Sequence, residues 1–335
     1  FSLTFSFFAG HLQTFFYLFL TSIVYFSARW FQYRKNKKIL FRLSACYLLF
    51  GFITSIQWIP TLQFILESAR NLDQIDWQRP GWFIPWQHLI QFIAPDFFGN
   101  PATLNYWGKW NYGEFTGYVG VLPLILSLFT LLFRRDKKTL FFGSLFFFSL
   151  VFSLPTIFAK LPYLLQLPLL STSQPTRLLF LTDFSLAVLS ALGLGHFLKQ
   201  KRGIIYPVGF LLAIFTILWI FTGFSSIGIV STENLLTSKR NLMLPTALFV
   251  LSVSILFFSL FSKNRKVIFL FPVATLSIVS FDLFRFGTKF TPFTSQEYLF
   301  PQTQTINFLK KKEKEEGPFR LMTTDEKILP PNFSV

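Results

Sequence analysis

A chain of 335 residues that is 52% hydrophobic, 20% aromatic and only 14% charged, with a mean hydropathy of +0.50, has too few polar side chains to clothe a water-soluble globule. Its formal net charge of +16 would suit nucleic acid only if the cations shared one face; they sit instead in short turns between apolar runs, so no nucleic-acid partner is expected. The single cysteine, Cys46, excludes a disulfide framework, and its apolar setting makes it a lipid-facing or packing residue.

In chain order, the uncharged opening FSLTFSFF reads as the tail of a membrane helix and not as a signal peptide. Residues 1–9 are therefore expected to be a partial span, and the chain a piece that lacks both ends of a longer protein. Crossing a hydrocarbon core needs roughly 20 apolar residues at about 1.5 Å each. Runs of that kind predict eight complete spans, at 12–30, 39–61, 116–133, 139–158, 177–198, 203–223, 242–261 and 267–286. The expected fold class is an all-α membrane bundle over residues 1–286, followed by a truncated extracytoplasmic α/β tail over 287–335.

Alternate connections, RWFQYRKNKK, RRDKK, KQKR and SKNRK, are short and basic, which places them in the cytoplasm of a multi-pass plasma-membrane protein. The outer side then carries 62–115, 159–176, 224–241 and the tail. Loop 62–115 holds Trp77, Trp82, Trp86, Trp107 and Trp110, five of the eight tryptophans. Most of these suit an interfacial belt, and flat faces such as that of Trp107 also suit sugar rings. Within the loop, PWQHLIQFIAPD predicts an interfacial helix with Trp86, Leu89, Ile90 and Ile93 on one side. In the tail, TQTINFLKKKEKEEG reads as a helix stopped by Gly317, and FRLMTT as a following strand.

No dinucleotide fingerprint, Walker loop, nucleophile elbow or zinc spacing is present, and His11, His88 and His196 propose no metal site. The chemistry is expected at the outer leaflet. Arg177 follows STSQPT with Pro175 placed for a helix's first turn, a setting that suits a lipid phosphate or simple snorkelling. Asp183 lies about 9 Å deeper and about 240° around the same helix, where a carboxylate needs a wet cavity or hydrogen bonds from a neighbouring helix's Ser or Thr. Asp282 and Arg285, three apart on a helix, are expected to pair. Glu67, Asp73, Asp76, Asp96 and Glu114 are the acids of the large loop, each able to act as a base or hold a divalent metal, and their spacing selects none of them.

The ordered set AGHLQTFFY, APDFFGN, EFTGYVGVLPL, SQPTRLLFLTDFSLAVLSALGLG, FDLFRFG and YLFPQTQTINFLKK resembles the YfhO-like family of bacterial membrane proteins, which are similar to GT-C class glycosyltransferases. The resemblance implies transfer of a sugar from a polyprenyl-phosphate donor to a cell-envelope glycan, such as teichoic acid, on the outer face. It also implies a catalytic acid in a first outer loop upstream of this chain, so no catalytic residue is assigned here. His11, Gln13, Asp96, Glu114, Trp107, Asp183 and Arg177 are the expected substrate-binding residues. The rival readings are a transporter or flippase of lipid-linked saccharides, which calls for inverted repeats or broken helices, and a non-catalytic scaffold, for which a large aromatic lid has no use.

Overall fold

The chain divides into two compact units, Phe1–Phe290 and Thr291–Val335, in a computed structural model that describes residues 1–33, 36–67, 76–78, 80–167, 170–171, 173–223, 230–261, 265–290, 295–296 and 302–319. Helices carry the architecture, and there is no strand among the described residues. They are α1 (Ser2–Phe8), α2 (Leu12–Gln32), α3 (Lys37–Glu67), α4 (Tyr112–Phe115), α5 (Val121–Phe133), α6 (Lys137–Ser153), α7 (Ile157–Leu164), α8 (Leu179–Lys199), α9 (Ile205–Gly223), α10 (Thr232–Phe261), α11 (Arg265–Phe290) and α12 (Gln304–Glu316).

Apolar side chains cover the outside of the first unit. Phe41, Phe52, Ile56 and Phe64 of α3 and Phe258 and Phe261 of α10 are all exposed, while Ser127, Thr130, Ser153, Thr182, Ser185 and Ser252 are buried between helices. Water would punish that distribution, whereas lipid favours it, because most of these hydroxyls bond carbonyls of the helices and apolar surface costs nothing against acyl chains. Ser149 and Thr182 bond across α6 and α8 at 2.8 Å. This is a multi-pass membrane bundle.

Eight of the helices fall where spans are expected, but their dimensions differ. Five segments, Lys37–Glu67, Pro175–Lys199, Ile205–Gly223, Thr232–Phe261 and Leu270–Lys289, are long and apolar enough to cross a membrane among the described residues. The run expected at 139–158 is broken: α6 ends at Ser153, α7 resumes at Ile157, and the two are bent by 67°. Counted as one span, they make six. The helix α2 has the length but carries Gln13, Thr14, Thr21, Ser22 and Arg29 along it. The run expected at 116–133 becomes helical only at Val121: Thr116 is extended, 116–120 form no helix, and Gly120 has φ +92°. Conversely, α10 begins ten residues before the expected 242, so much of the connection 224–241 is helix.

The helix α5 is the post around which the unit is built: Val121 through Ser127, Phe129 and Thr130 are all buried. Thr130 donates across to the Leu189 carbonyl of α8 at 2.8 Å. At one end of the bundle Arg134 donates to the Leu192 carbonyl at 3.0 Å, Lys201 reaches the Ser259 carbonyl, and Asp136 caps α6 through the N–H groups of Lys138 and Thr139. Two of the basic turns therefore share that end. Arg34, Lys35 and Lys263, together with the loop acid Asp73, lie outside the described residues.

In the second unit α12 runs over Gln304–Glu316, capped by Thr303 and stopped by Gly317 at φ +79°, as the sequence predicts. The strand expected at 319–324 lies outside the described residues beyond Phe319.

Candidate functional site

At the end of the bundle away from those basic turns, chain segments far apart in sequence bring together four of the expected site residues. A 3-10 turn, Pro175–Leu178, precedes α8 with Pro175 in its first turn and puts Arg177 in front of the helix instead of inside it. The short helix α4, capped by Asn111, presents Glu114. Their side chains meet in a bidentate pair, Arg177 Nε to Glu114 Oε2 at 2.9 Å and Nη2 to Oε1 at 2.9 Å. Thr176 adds its hydroxyl to Glu114 Oε2 at 3.1 Å.

His11 and Gln13 approach from the start of α2. His11 caps that helix through Nδ1, which lies 3.2 Å from the Thr14 N–H, and its Nε2 touches Arg177 Nη1. Gln13 donates to the Gln174 carbonyl and to the Tyr17 hydroxyl at 3.3 Å. The arginine expected to stand free for a phosphate is thus already neutralised by Glu114. Glu114 takes two of its five N–H groups, which leaves the other edge of the guanidinium, beside His11, for a ligand.

The cluster stands at the head of an apolar groove of about 700 Å³ between α2 and α6. Tyr17, Leu178 and Leu181 line it near the cluster, Val24, Phe141 and Leu145 further along, and Gln32 and Lys137 at the basic end. Leu178 is the residue after Arg177, so the groove opens where the charges begin.

Asp96, Trp107 and Asp183 do not join this cluster. Asp96 is buried and holds a second polar centre. Its Oδ1 accepts from Asn100 at 2.7 Å and from Tyr112 at 2.7 Å, and its Oδ2 pairs with Lys289 at 2.6 Å. Burial, and the Asp96 charge beside it, push the Tyr112 hydroxyl well above its ordinary value. Trp107 is half-buried and meets Phe98 in a T-shaped contact with ring centres 4.8 Å apart. Asp183 Oδ1 is buried and meets no hydrogen-bond partner among the described residues, so the bond expected from a Ser or Thr of a neighbouring helix is not seen there.

Among the described residues Asp282 and Arg285 form no ion pair within hydrogen-bond reach, although the Arg285 charge acts on Asp282. Tyr118 donates to its carboxylate at 2.8 and 2.9 Å and the Val121 N–H at 3.1 Å, so Asp282 anchors the start of α5. Among the described residues no group of three His, Cys, Asp or Glu converges as a metal set.

The segment expected as an interfacial helix is a 3-10 helix, Trp86–Phe92, with His88, Gln91 and Phe92 inward and Trp86 exposed. Gln91 spends its amide hydrogens on the Pro95 carbonyl at 3.0 Å and Thr116 at 2.9 Å. Its oxygen therefore faces His88 Nδ1, 2.6 Å away, which must carry the proton. His88 Nε2 then accepts from the Lys109 N–H at 3.3 Å. Burial, opposed by the Gln91 bond and reinforced by the Lys109 charge, lowers His88 below its ordinary 6.5. Below pH 6.5 the unfolded chain takes up a proton that the fold refuses, so stability falls with pH until the lowered value is reached. Melting curves in detergent from pH 7.5 to 5 should show that loss, with a slope of up to about 1.4 kcal/mol per unit, and His88→Asn should flatten it; equal slopes in the two proteins would exclude His88 as the source.

No family model, curated protein or solved structure matches this chain.

The sequence offered no direct signal for Thr176, Tyr112 or Tyr118, since single hydroxyls carry no spacing. Lys289 was discoverable: Asp282, Arg285 and Lys289 stand at i, i+3 and i+7, one face of a helix.

Proposed function

We propose that the chain is the donor-binding part of a membrane glycosyltransferase of YfhO-like type, moving a sugar from a polyprenyl phosphate to a cell-envelope glycan. In this reading it sits in the plasma membrane with its basic turns in the cytoplasm, eight complete spans and one partial, and an α/β tail outside. The observation that carries it is the apolar groove between α2 and α6 that ends at the His11, Gln13, Glu114 and Arg177 cluster. A lipid-linked sugar needs a dry channel for its tail and hydrogen-bond donors at its phosphate, in that order along one line.

When an acceptor hydroxyl attacks the anomeric carbon, its proton passing to the catalytic carboxylate that the family resemblance implies, the sugar–phosphate bond breaks and negative charge gathers on the departing lipid phosphate. Arg177, with one guanidinium edge left open and its orientation fixed by both oxygens of Glu114, would stabilise that charge. Arg177→Ala in the full-length protein should lower transfer from a polyprenyl-phosphate sugar by about 100-fold, the size of one lost electrostatic donor, with membrane insertion unchanged. Glu114→Gln should also lower transfer, by releasing the guanidinium. Undiminished transfer in Arg177→Ala would remove the proposal.

A second reading, movement of lipid-linked saccharides across the bilayer, draws on the 67° break between α6 and α7, since interrupted helices are common in transporters. Sugar covalently attached to an acceptor by the purified protein supports transfer, and lipid-linked sugar moved between leaflets without such attachment supports transport.

A further inference from the structure

A separate cavity of about 380 Å³ opens between the outer parts of α10 and α11 and the loop that follows the Trp86–Phe92 helix. Sugar transfer at the Arg177 cluster makes no use of it. Its walls carry Arg240, Arg285, Lys289, Asp96, Asp282 and Asn241, contributed by three stretches of chain that other bonds hold in place. Asn241 donates to the Asp96 carbonyl at 2.7 Å and Ser238 to the Phe97 carbonyl at 2.7 Å, clipping the loop to α10. Gly99, at φ +81°, lets that loop turn so tightly that a Cβ would lie 2.0 Å from the Asn105 carbonyl oxygen.

The charges in the cavity differ in how far they are committed. Lys289 is spent on Asp96 at 2.6 Å. Arg240 and Arg285 are exposed, and neither guanidinium has a hydrogen bond or ion pair among the described residues. Two unpaired guanidiniums lining one cavity form a ready seat for an anion, and phosphate oxygens match their planar donor edges.

The rest of the lining asks for donors. Among the described residues Asp96 Oδ2 receives only Lys289, and Asp282 Oδ1 only Tyr118, so each retains accepting capacity. Pro245, also on the wall, lies inside α10 and has no N–H to give the carbonyl four residues back, that of Asn241. Cations with spare donors and oxygens with spare lone pairs therefore share one chamber large enough for a small polar ligand.

We propose that this cavity binds a phosphate ester carrying free hydroxyl groups, with the phosphate held by Arg240 and Arg285 and the hydroxyls donating to Asp96, Asp282 and the Asn241 carbonyl. The proposal goes beyond sugar transfer and does not depend on it.

The test is equilibrium binding of radiolabelled glycerol 3-phosphate to the purified chain in phosphatidylcholine nanodiscs. Saturable binding is expected, with inorganic phosphate competing more weakly and glycerol not competing. Arg240→Ala with Arg285→Ala should weaken binding at least tenfold, and lysine at both positions should restore part of it. Neither guanidinium donates a hydrogen bond to another described residue, but the Arg285 charge acts on buried Asp282, so monodispersity and the melting midpoint of the double variant are compared with the parent, and Arg240→Ala alone, which touches no such group, should still weaken binding. Unchanged affinity in the double variant, or no saturable binding to a well-folded parent, overturns the site. Equal affinity for inorganic phosphate and the ester overturns the hydroxyl half of the assignment. Repeating the measurement in phosphatidylglycerol nanodiscs identifies the source, since lost binding of the soluble ester there means that a lipid headgroup occupies the same seat, and retained binding means a soluble or polymeric ester.

Discussion

Asp96→Ala is expected to lower the stability of the bundle by about 3 kcal/mol, the low end of the range for removing one partner of a buried ion pair. The low end applies because Lys289 is 23% exposed and retains some water. Three donors converge on the Asp96 carboxylate, from Asn100, Tyr112 and Lys289. Tyr112 is 2% exposed and donates to Asp96, so the loss of that buried bond adds to the cost. Asp96→Asn, which keeps an acceptor oxygen but not the charge, should fall between. Pairing Asp96→Ala with Lys289→Met should recover part of the loss, because the stranded ammonium is then gone. Chemical unfolding in a fixed detergent measures all four proteins; a deficit below about 1 kcal/mol in Asp96→Ala would mean that this network is no more than a surface pair.

The bundle was legible because apolar length is a cumulative signal. Eight runs were long enough to survive errors of several residues at each end, and a helix stands at each of them. Their interruptions were not legible. The break after Ser153 needs only Leu154–Pro155–Thr156, and Pro155 inside an apolar run can equally kink a helix that continues. The late start of α5 has a similar cause: Asp282 takes the Val121 N–H and the Tyr118 hydroxyl, and Asp282 lies 161 residues away from Val121. In the tail, local rules sufficed, and Thr303 and Gly317 bound α12 as cap chemistry requires.

The site was legible as a set of residue types but not as pairings. His11, Gln13, Glu114 and Arg177 were all foreseen at the outer end, and the fold brings them together. What the sequence could not show is that Glu114, 63 residues away, would claim the Nε and Nη2 edge of Arg177. The same limitation misdirected Asp282. Helical spacing offers Arg285 as its partner, yet a tyrosine 164 positions earlier in the chain reaches it first. Polar groups inside a bundle are satisfied by whichever donor the packing brings, and packing is set by helix contacts that leave little trace in local sequence.

Gly193→Val should be the other severe exchange, and its reason lies in the contact between α5 and α8. A Cβ at Gly193 would stand 2.2 Å from the Leu126 carbonyl oxygen and 2.5 Å from Thr130 Oγ1. The obstacle is backbone, which cannot rotate aside, so the two helices must separate. Separation would also break the bond from Thr130 to the Leu189 carbonyl and loosen the post formed by α5. Overpacking a core typically costs about 1–3 kcal/mol, and with backbone as the obstacle the upper end is expected, as a lower unfolding midpoint and a smaller monodisperse fraction. Gly195 supplies the control two residues on, since a Cβ there meets nothing within 4 Å. Gly195→Ala should be neutral or stabilise by up to about 1 kcal/mol through helix propensity. If Gly193→Val unfolds at the same midpoint as Gly195→Ala, then close approach of α8 to α5 does not hold the bundle together, and the distance that fixes Arg177 above its groove must be set elsewhere.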